Sequence, residues 1–198
     1  MELKRLFLEQ LEREAVASRK AIERVPEGQN NFKPHPRSME LGLLAALVAT
    51  MPGWVAMMID TEELDLDGNG KAFRTKAVET RKQLLSLLDK GYADSCRALN
   101  RTSEEHLLKP WKLRMGAQVL SYRPRYTSIL DGAFAHLAHH RGQLTVYLRL
   151  CDASVPAIYG PSADEWQSNE SMNVDEICLP QVRPVPVFAP SLEWHGLL

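Results

Sequence analysis

The sequence predicts an all-α fold of the helix-bundle kind, and three stretches carry that prediction. Residues 2–24 place Leu3, Leu6, Phe7 and Leu11 at helical spacing among Glu, Lys and Arg, the pattern of an amphipathic helix. Residues 41–59 run without a charged side chain, which suits a helix buried on every side. Residues 134–149 bring His136, His140, Gln143 and Tyr147 within about 60° of one another on a helical wheel, flanked by Leu137, Leu144 and Leu148. A polar stripe bordered by leucines should face into a bundle rather than out to water. Two imidazoles at i and i+4 lie on one side of a helix, where they can hold one metal ion.

Taken in order, the first helix ends near Val25-Pro-Glu-Gly28, because proline pushes the residue before it out of helical geometry. Pro34 and Pro36 make 30–37 a loop. Ser38 is the expected N-cap of a second helix over about 39–60, with a kink at 49–53 because Pro52 removes a backbone donor. That uncharged run also reaches the ~18 residues of a membrane span. Gly42, Thr50 and Pro52-Gly53 within it and the amphipathic helices elsewhere favour a buried core helix. Asp65-Leu-Asp-Gly-Asn-Gly70 has the opening of a calcium loop, but the twelfth position is Lys76 where a bidentate Glu belongs; it reads as a polar turn. A third helix is expected from about Lys71, past Gly91 to about Leu99. Thr102-Ser-Glu-Glu105 reads as a capping box for a short helix reaching Leu108. Trp111, Leu113 and Met115 then alternate with polar residues, which predicts a small hairpin or extended crossover near 110–122. The main helix follows from about Pro124 to Cys151. Residues 155–165 form a proline-punctuated loop with another capping box at Ser162-Ala-Asp-Glu165. Beyond Trp166, Pro180, Pro184, Pro186 and Pro190 break helix, while Val182, Val187, Phe188 and Trp194 are too apolar for a free tail. The organisation expected is one domain over 1–166 and an extended arm over 167–198 that packs on it or on a partner subunit.

Composition narrows the function. Lys plus Arg total 24 against 25 acids, so no electrostatic case exists for nucleic acid. Cys96, Cys151 and Cys178 are widely spaced with no CxxC pair, as in a reducing cytoplasmic setting. The first ten residues carry acids and lack the apolar run of a signal peptide. No GxSxG and no glycine-rich phosphate loop occurs. The partner expected is a small molecule, with neither nucleic acid nor a membrane.

His-Leu-Ala-His-His-Arg-Gly-Gln-Leu (136–144), Tyr-Leu-Arg (147–149) and Val-Pro-Ala-Ile-Tyr-Gly-Pro-Ser-Ala-Asp-Glu (155–165) together resemble the DinB-like family, also called DinB/YfiT-like. Phe32-Lys-Pro-His-Pro-Arg-Ser-Met39, Pro52-Gly-Trp54 and Pro110-Trp111 sit where that family places similar residues, so the resemblance covers roughly 30–166. It implies a four-helix bundle, up-down-down-up with a long crossover, commonly paired as a homodimer. It further implies a divalent ion such as nickel or zinc held by three histidines, two of which map to His136 and His140. Characterised members transfer or isomerise low-molecular-weight thiol adducts. The third ligand of the family sits in a pattern like Leu-Ala-x-His, which here is Leu44-Ala-Ala-Leu47. Leucine cannot coordinate a metal.

Three readings of the site stay open. His136 and His140 hold a metal with a third ligand from elsewhere; His35, His106 and His139 qualify by residue type. Alternatively the site is a metal-free remnant in which Leu47 fills the space, Gln143 and Tyr147 line a small-ligand pocket, and the protein binds a small molecule or serves a stress response. In the third, the histidines are ordinary. Arg141 is expected to be structural, and Cys151 to be an inert thiol.

Overall fold

The computed structural model describes residues 2–68 and 75–166. Its helices are α1 (Leu3–Ile22), α2 (Leu41–Thr50), α3 (Trp54–Asp60), α4 (Arg81–Arg101), α5 (Glu104–Leu108), α6 (Arg125–Ile129), α7 (His136–Leu150) and α8 (Ala163–Trp166). A single 3₁₀ turn, Met51–Gly53, joins α2 to α3, and a widened π turn, Leu130–Ala135, joins α6 to α7. A three-stranded sheet of β1 (Glu63–Asp65), β2 (Pro110–Met115) and β3 (Gln118–Pro124) completes the fold, in the order β1-β2-β3.

α1 buries Phe7, Leu11, Ala17, Ala21 and Ile22. Its first amides find no cap on the preceding residue. Instead the Glu104 carboxylate accepts from the backbone N–H of Leu3 and Lys4, both at 3.0 Å, pairing orphan donors with a negative charge where the helix dipole favours one. Along 41–60 the expected break at Pro52 is present as the 3₁₀ turn. The window is 67% buried, as a core helix should be. Ser38 is not its cap. The loop carbonyls of Phe32 and Asn30 accept from Leu41 N–H (3.0 Å) and Gly42 N–H (2.9 Å), so backbone does what the hydroxyl was expected to do.

α4 begins at Arg81, ten residues later than the sequence spacing suggests. Thr80 and Gln83 form a reciprocal capping box, which fixes the start there. Residues 71–74, where the expectation began, lie outside the described residues. Gly91 sits inside α4 because the chain passes close: a Cβ there would lie 2.9 Å from Gly53 N. Ser103 caps α5, accepting from His106 N–H at 3.1 Å.

The expected hairpin is β2–β3, antiparallel and turning at Gly116, whose φ of 55° suits glycine. The all-α expectation needs correction, because β1 pairs in parallel with β2, Glu63 opposite Lys112 and Asp65 opposite Arg114. The same acids grip the hairpin: Arg114 reaches Glu63 at 2.8 Å and Asp65 at 2.6 Å, and Asp65 accepts from Gly116 N–H at 2.9 Å. The residue expected to open a polar turn therefore closes a sheet. Tertiary ion pairs, invisible to local spacing, make the strand.

α4 packs on α1, α2 and α3, and α7 on α1 and α2. One core cluster joins Ile22, Leu41, Leu44, Leu88, Leu144 and Leu148; a second joins Phe7, Leu11, Val55, Leu99, Trp111 and Phe134. Arg141, as expected, is structural. It is buried between α1 and α7, 2.6 Å from the Glu14 carboxylate, and donates to Ser18 Oγ at 3.1 Å. The Tyr159 hydroxyl, from the 155–165 loop, joins Glu14 at 2.8 Å and also contacts Arg141. The 167–198 arm lies outside the described residues.

Candidate functional site

The π turn ends where the histidines begin. π turns concentrate at functional sites, and this one sets the rotation at which His136 leaves the chain. His136 and His140 then lie one α-turn apart, with ring centroids 4.6 Å apart and Nε2 atoms at 2.9 Å. Gln143 orders the pair. His140 Nδ1 donates to Gln143 Oε1 at 2.8 Å, and the Gln143 amide NH₂ donates to Nε2 of the exposed His139 at 3.1 Å. An amide oxygen only accepts, so the His140 proton belongs on Nδ1 and its Nε2 lone pair faces His136. The His136 ring is also held by the backbone of Gly132, in a contact that favours its protonated form.

Burial lowers the pKa of His136, the neighbouring His140 and His139 lower it further, and the Gly132 contact opposes both. Burial likewise lowers that of His140 and His139 adds to the effect, while the Gln143 hydrogen bond opposes it. Both rings are therefore biased to neutrality, the form that offers lone pairs.

Beside His136 lies a cavity of about 210 Å³ between α3, the sheet and the α6–α7 segment. Trp54, Met57, Leu64, Trp111 and Leu113 make its apolar wall, with His136, Arg123, Ser121 and Ser128 as polar members. The Trp54 ring packs 5.6 Å from that of His136. Gly132 lets Met58 in: a Cβ at Gly132 would meet Met58 Cε at 2.8 Å.

The sequence-expected residues divide. His136, His140 and Gln143 come together; His136 also reaches the cavity. Gln143, Tyr147 and Leu47 do not line it. The Tyr147 hydroxyl donates to the Met39 carbonyl at 3.1 Å, with the Phe32 ring edge-on at 6.1 Å, so Tyr147 fastens the 30–39 loop to α7. Leu47 is half-buried against the α2–α7 core. Of the other histidines, His106 Nε2 lies 2.9 Å from the Ile59 carbonyl and His35 Nδ1 accepts from Arg37 N–H at 3.2 Å. Among the described residues, no three His, Cys, Asp or Glu side chains gather to hold a metal. The cavity wall was missed by sequence reasoning. Its signal was Trp54 after Pro52-Gly53, an aromatic placed by a helix break.

Comparison with known proteins decides the lineage. The DinB family profile matches residues 1–173. The chain belongs to the DinB family. A DinB-like protein of Bacillus cereus ATCC 10987 superposes with a TM-score of 0.59 at 19% identity, over 77% of this chain and 95% of that one. A DinB-like protein of Bacillus subtilis gives 0.57 at 19% identity, over 78% and 98%. At this identity the likeness shows the fold alone. The uncharacterized protein YrdA of Bacillus subtilis is 49% identical over 39 residues, 20% of this chain and 23% of YrdA. The match thus spans under a quarter of that relative's length.

The DinB family assignment raises a metal, and the donor set tests it. Metal–nitrogen bonds of ~2.05 Å separate two ligand nitrogens by ~3.3 Å in tetrahedral geometry and by ~2.9 Å at a right angle; the observed Nε2 spacing of 2.9 Å is that of a direct N–H···N hydrogen bond between the rings. The Gln143 hydrogen bond on the far side of the His140 ring is of the kind that orients a metal ligand. The residues present thus supply two imidazoles on one side of α7, and Leu47, where the family resemblance places the third ligand, offers no donor atom.

Proposed function

We propose that this DinB-like chain, a four-helix bundle of up-down-down-up course, binds a small, largely apolar molecule in the cavity beside His136. The observation that carries this reading is the cavity itself, walled by Trp54 and Trp111, with one neutral imidazole at its edge. Such concave apolar sites with few polar groups are where small ligands bind. His136 receives or supplies the hydrogen bond that orients the ligand, and Gln143 keeps its partner His140 in the right tautomer. With Leu47 in place of a third ligand, the protein is metal-free or holds a divalent ion weakly.

One observation favours a second reading, a divalent-metal-dependent transferase or hydrolase acting on low-molecular-weight thiol adducts: His136 and His140 turn their Nε2 atoms toward each other on one side of α7, within reach of a single ion. An ion there would lower the pKa of a bound water or thiol. Metal analysis after supplementation with nickel or zinc separates the two. Less than about a tenth of an equivalent retained, at protein concentrations far above a micromolar Kd, rejects the enzyme reading. Titration with a neutral aromatic amide and with the carboxylate of the same shape, followed by tryptophan fluorescence, tests the pocket; binding of neither to the full chain rejects it.

The same proposal has the protein acting in the cytoplasm as a homodimer. Support for pairing comes from Val119, Leu120 and Tyr122 on β3 and Met115 on β2, all exposed on a sheet that would otherwise offer apolar side chains to water. A strictly monomeric mass by light scattering removes it.

A further inference from the structure

We propose that the cavity beside His136 takes a small apolar organic acid, its hydrocarbon part against Trp54, Met57 and Trp111 and its carboxylate at Arg123. The proposal rests on the pocket reading above and adds the chemical class of the ligand. Size comes first. The cavity holds about 210 Å³; a protein cavity of ~150 Å³ accepts benzene, so one this large accepts roughly eight to nine non-hydrogen atoms. Charge comes second. Arg123, His136 and the hydroxyls of Ser121 and Ser128 are the polar members of the wall, and no carboxylate is among the described residues lining it. An anionic end meets a cation and donors there, whereas a cationic end meets a like charge.

Arg123 supplies the third and most specific observation. Its Nη1 donates to Asp131 at 2.7 Å, in a surface pair whose side chains are 40% and 57% exposed. Its Nε is buried with no hydrogen-bond partner among the described residues. Unpaired buried donors are uncommon in folded proteins, and each calls for a reason. A guanidinium is a planar fork that matches a carboxylate through two parallel hydrogen bonds, and Asp131 engages one arm only. Exposed pairs of this kind hold weakly, so the guanidinium can turn toward a second carboxylate that arrives in the cavity. The turned guanidinium then pairs with the ligand through two hydrogen bonds, Nε among the donors, while the apolar body of the ligand fills the space between the tryptophans.

The test compares benzoate with benzamide, which share a shape and differ in charge, on the full chain by calorimetry and tryptophan fluorescence. Four proteins are measured: the unchanged chain, Arg123→Gln, Arg123→Lys, and Leu113→Trp, which fills the cavity. Circular dichroism establishes that each is folded. The acid is expected to bind about tenfold more tightly than the amide, Arg123→Gln to bring the two within about threefold, and Arg123→Lys to restore part of the preference. Equal binding of acid and amide to the unchanged chain overturns the acid class and leaves the pocket reading standing. Binding of neither overturns both. A preference that survives Arg123→Gln, or acid binding undiminished in a folded Leu113→Trp, overturns the placement of the carboxylate.

Discussion

Gly91→Ala should destabilise the protein although it puts a better helix former into the middle of a helix. The new Cβ would lie 2.9 Å from Gly53 N and 3.2 Å from Gly53 Cα. Both are backbone atoms, which cannot swing aside, so α4 must retreat by about 0.5 Å to regain an ordinary 3.4 Å contact. Forcing a methyl group into a packed contact costs about 1–3 kcal/mol. Replacing glycine by alanine in a helix returns up to about 1 kcal/mol. With rigid backbone on the receiving side the cost lies toward its upper end, so the net loss reaches about 2 kcal/mol and lowers Tm by up to roughly 8 °C in a domain of this size. Gly142→Ala provides the control, since a Cβ at Gly142 meets nothing within 4 Å; it should raise stability by about 0.5–1 kcal/mol. Thermal and urea unfolding of both variants decide the matter. If Gly91→Ala stabilises as Gly142→Ala does, the close passage of α4 over the α2–α3 break is wrong. The placement of Trp54, the residue after Gly53, against His136 then falls with it.

Stability should also fall on acidification. The folded pKa values of His136 and His140 lie below the ordinary value of 6.5, so the unfolded chain takes up protons first as pH drops. Their contribution is complete above pH 6.5 and is lost from there down to the folded pKa values; a His136→Gln/His140→Gln variant whose unfolding free energy shows the same slope between pH 7 and 5 would refute this. Glu14→Ala strands the Arg141 guanidinium, which is 1% exposed, and should cost about 3–5 kcal/mol in chemical denaturation; a loss under 1 kcal/mol would mean that water reaches the pair. Leu47→His supplies the imidazole missing from the family pattern and should raise nickel or zinc affinity at least about tenfold by calorimetry, as a third ligand joins the pair. Unchanged affinity would place residue 47 out of reach of His136 and His140.

Local chemistry made much of this molecule readable in advance. The amphipathic spacing of Leu3, Phe7 and Leu11, the uncharged run broken at Pro52, the alternation of Trp111, Leu113 and Met115 and the i, i+4 histidines each express a rule acting within a few residues, and each element formed. What escaped reading depends on partners far along the chain. Glu63 and Asp65 become a strand because Lys112 and Arg114 lie opposite. Ser38 loses its capping role to the carbonyls of Asn30 and Phe32. The helix expected from Lys71 starts at Arg81 because Phe73 and Ala77 continue a helical spacing that the capping box at Thr80 ends. At the site, the stripe containing His136, His140 and Gln143 was legible as a face. The cavity wall was not, because it joins Trp54, Trp111 and Arg123 from three separate elements.

The π turn at Leu130–Ala135 has a consequence for how this lineage can vary. A wheel drawn at ~100° per residue from Arg125 through Leu150 misplaces one end against the other, since the widened turn carries an extra residue. A chain shorter by one residue between 130 and 135 would form an ordinary helix there, locally the easier structure, yet it would swing His136 and His140 by about 100° away from Trp54. What opposes that relaxation lies in the buried side chains of the turn itself: Ala133 and Phe134 are in the core, and the Phe134 ring packs 5.8 Å from Phe7 of α1. The orientation of the histidine pair thus leans on an aromatic contact that touches neither histidine, and because Phe7 is itself fully buried, trimming it should cost stability and site geometry together.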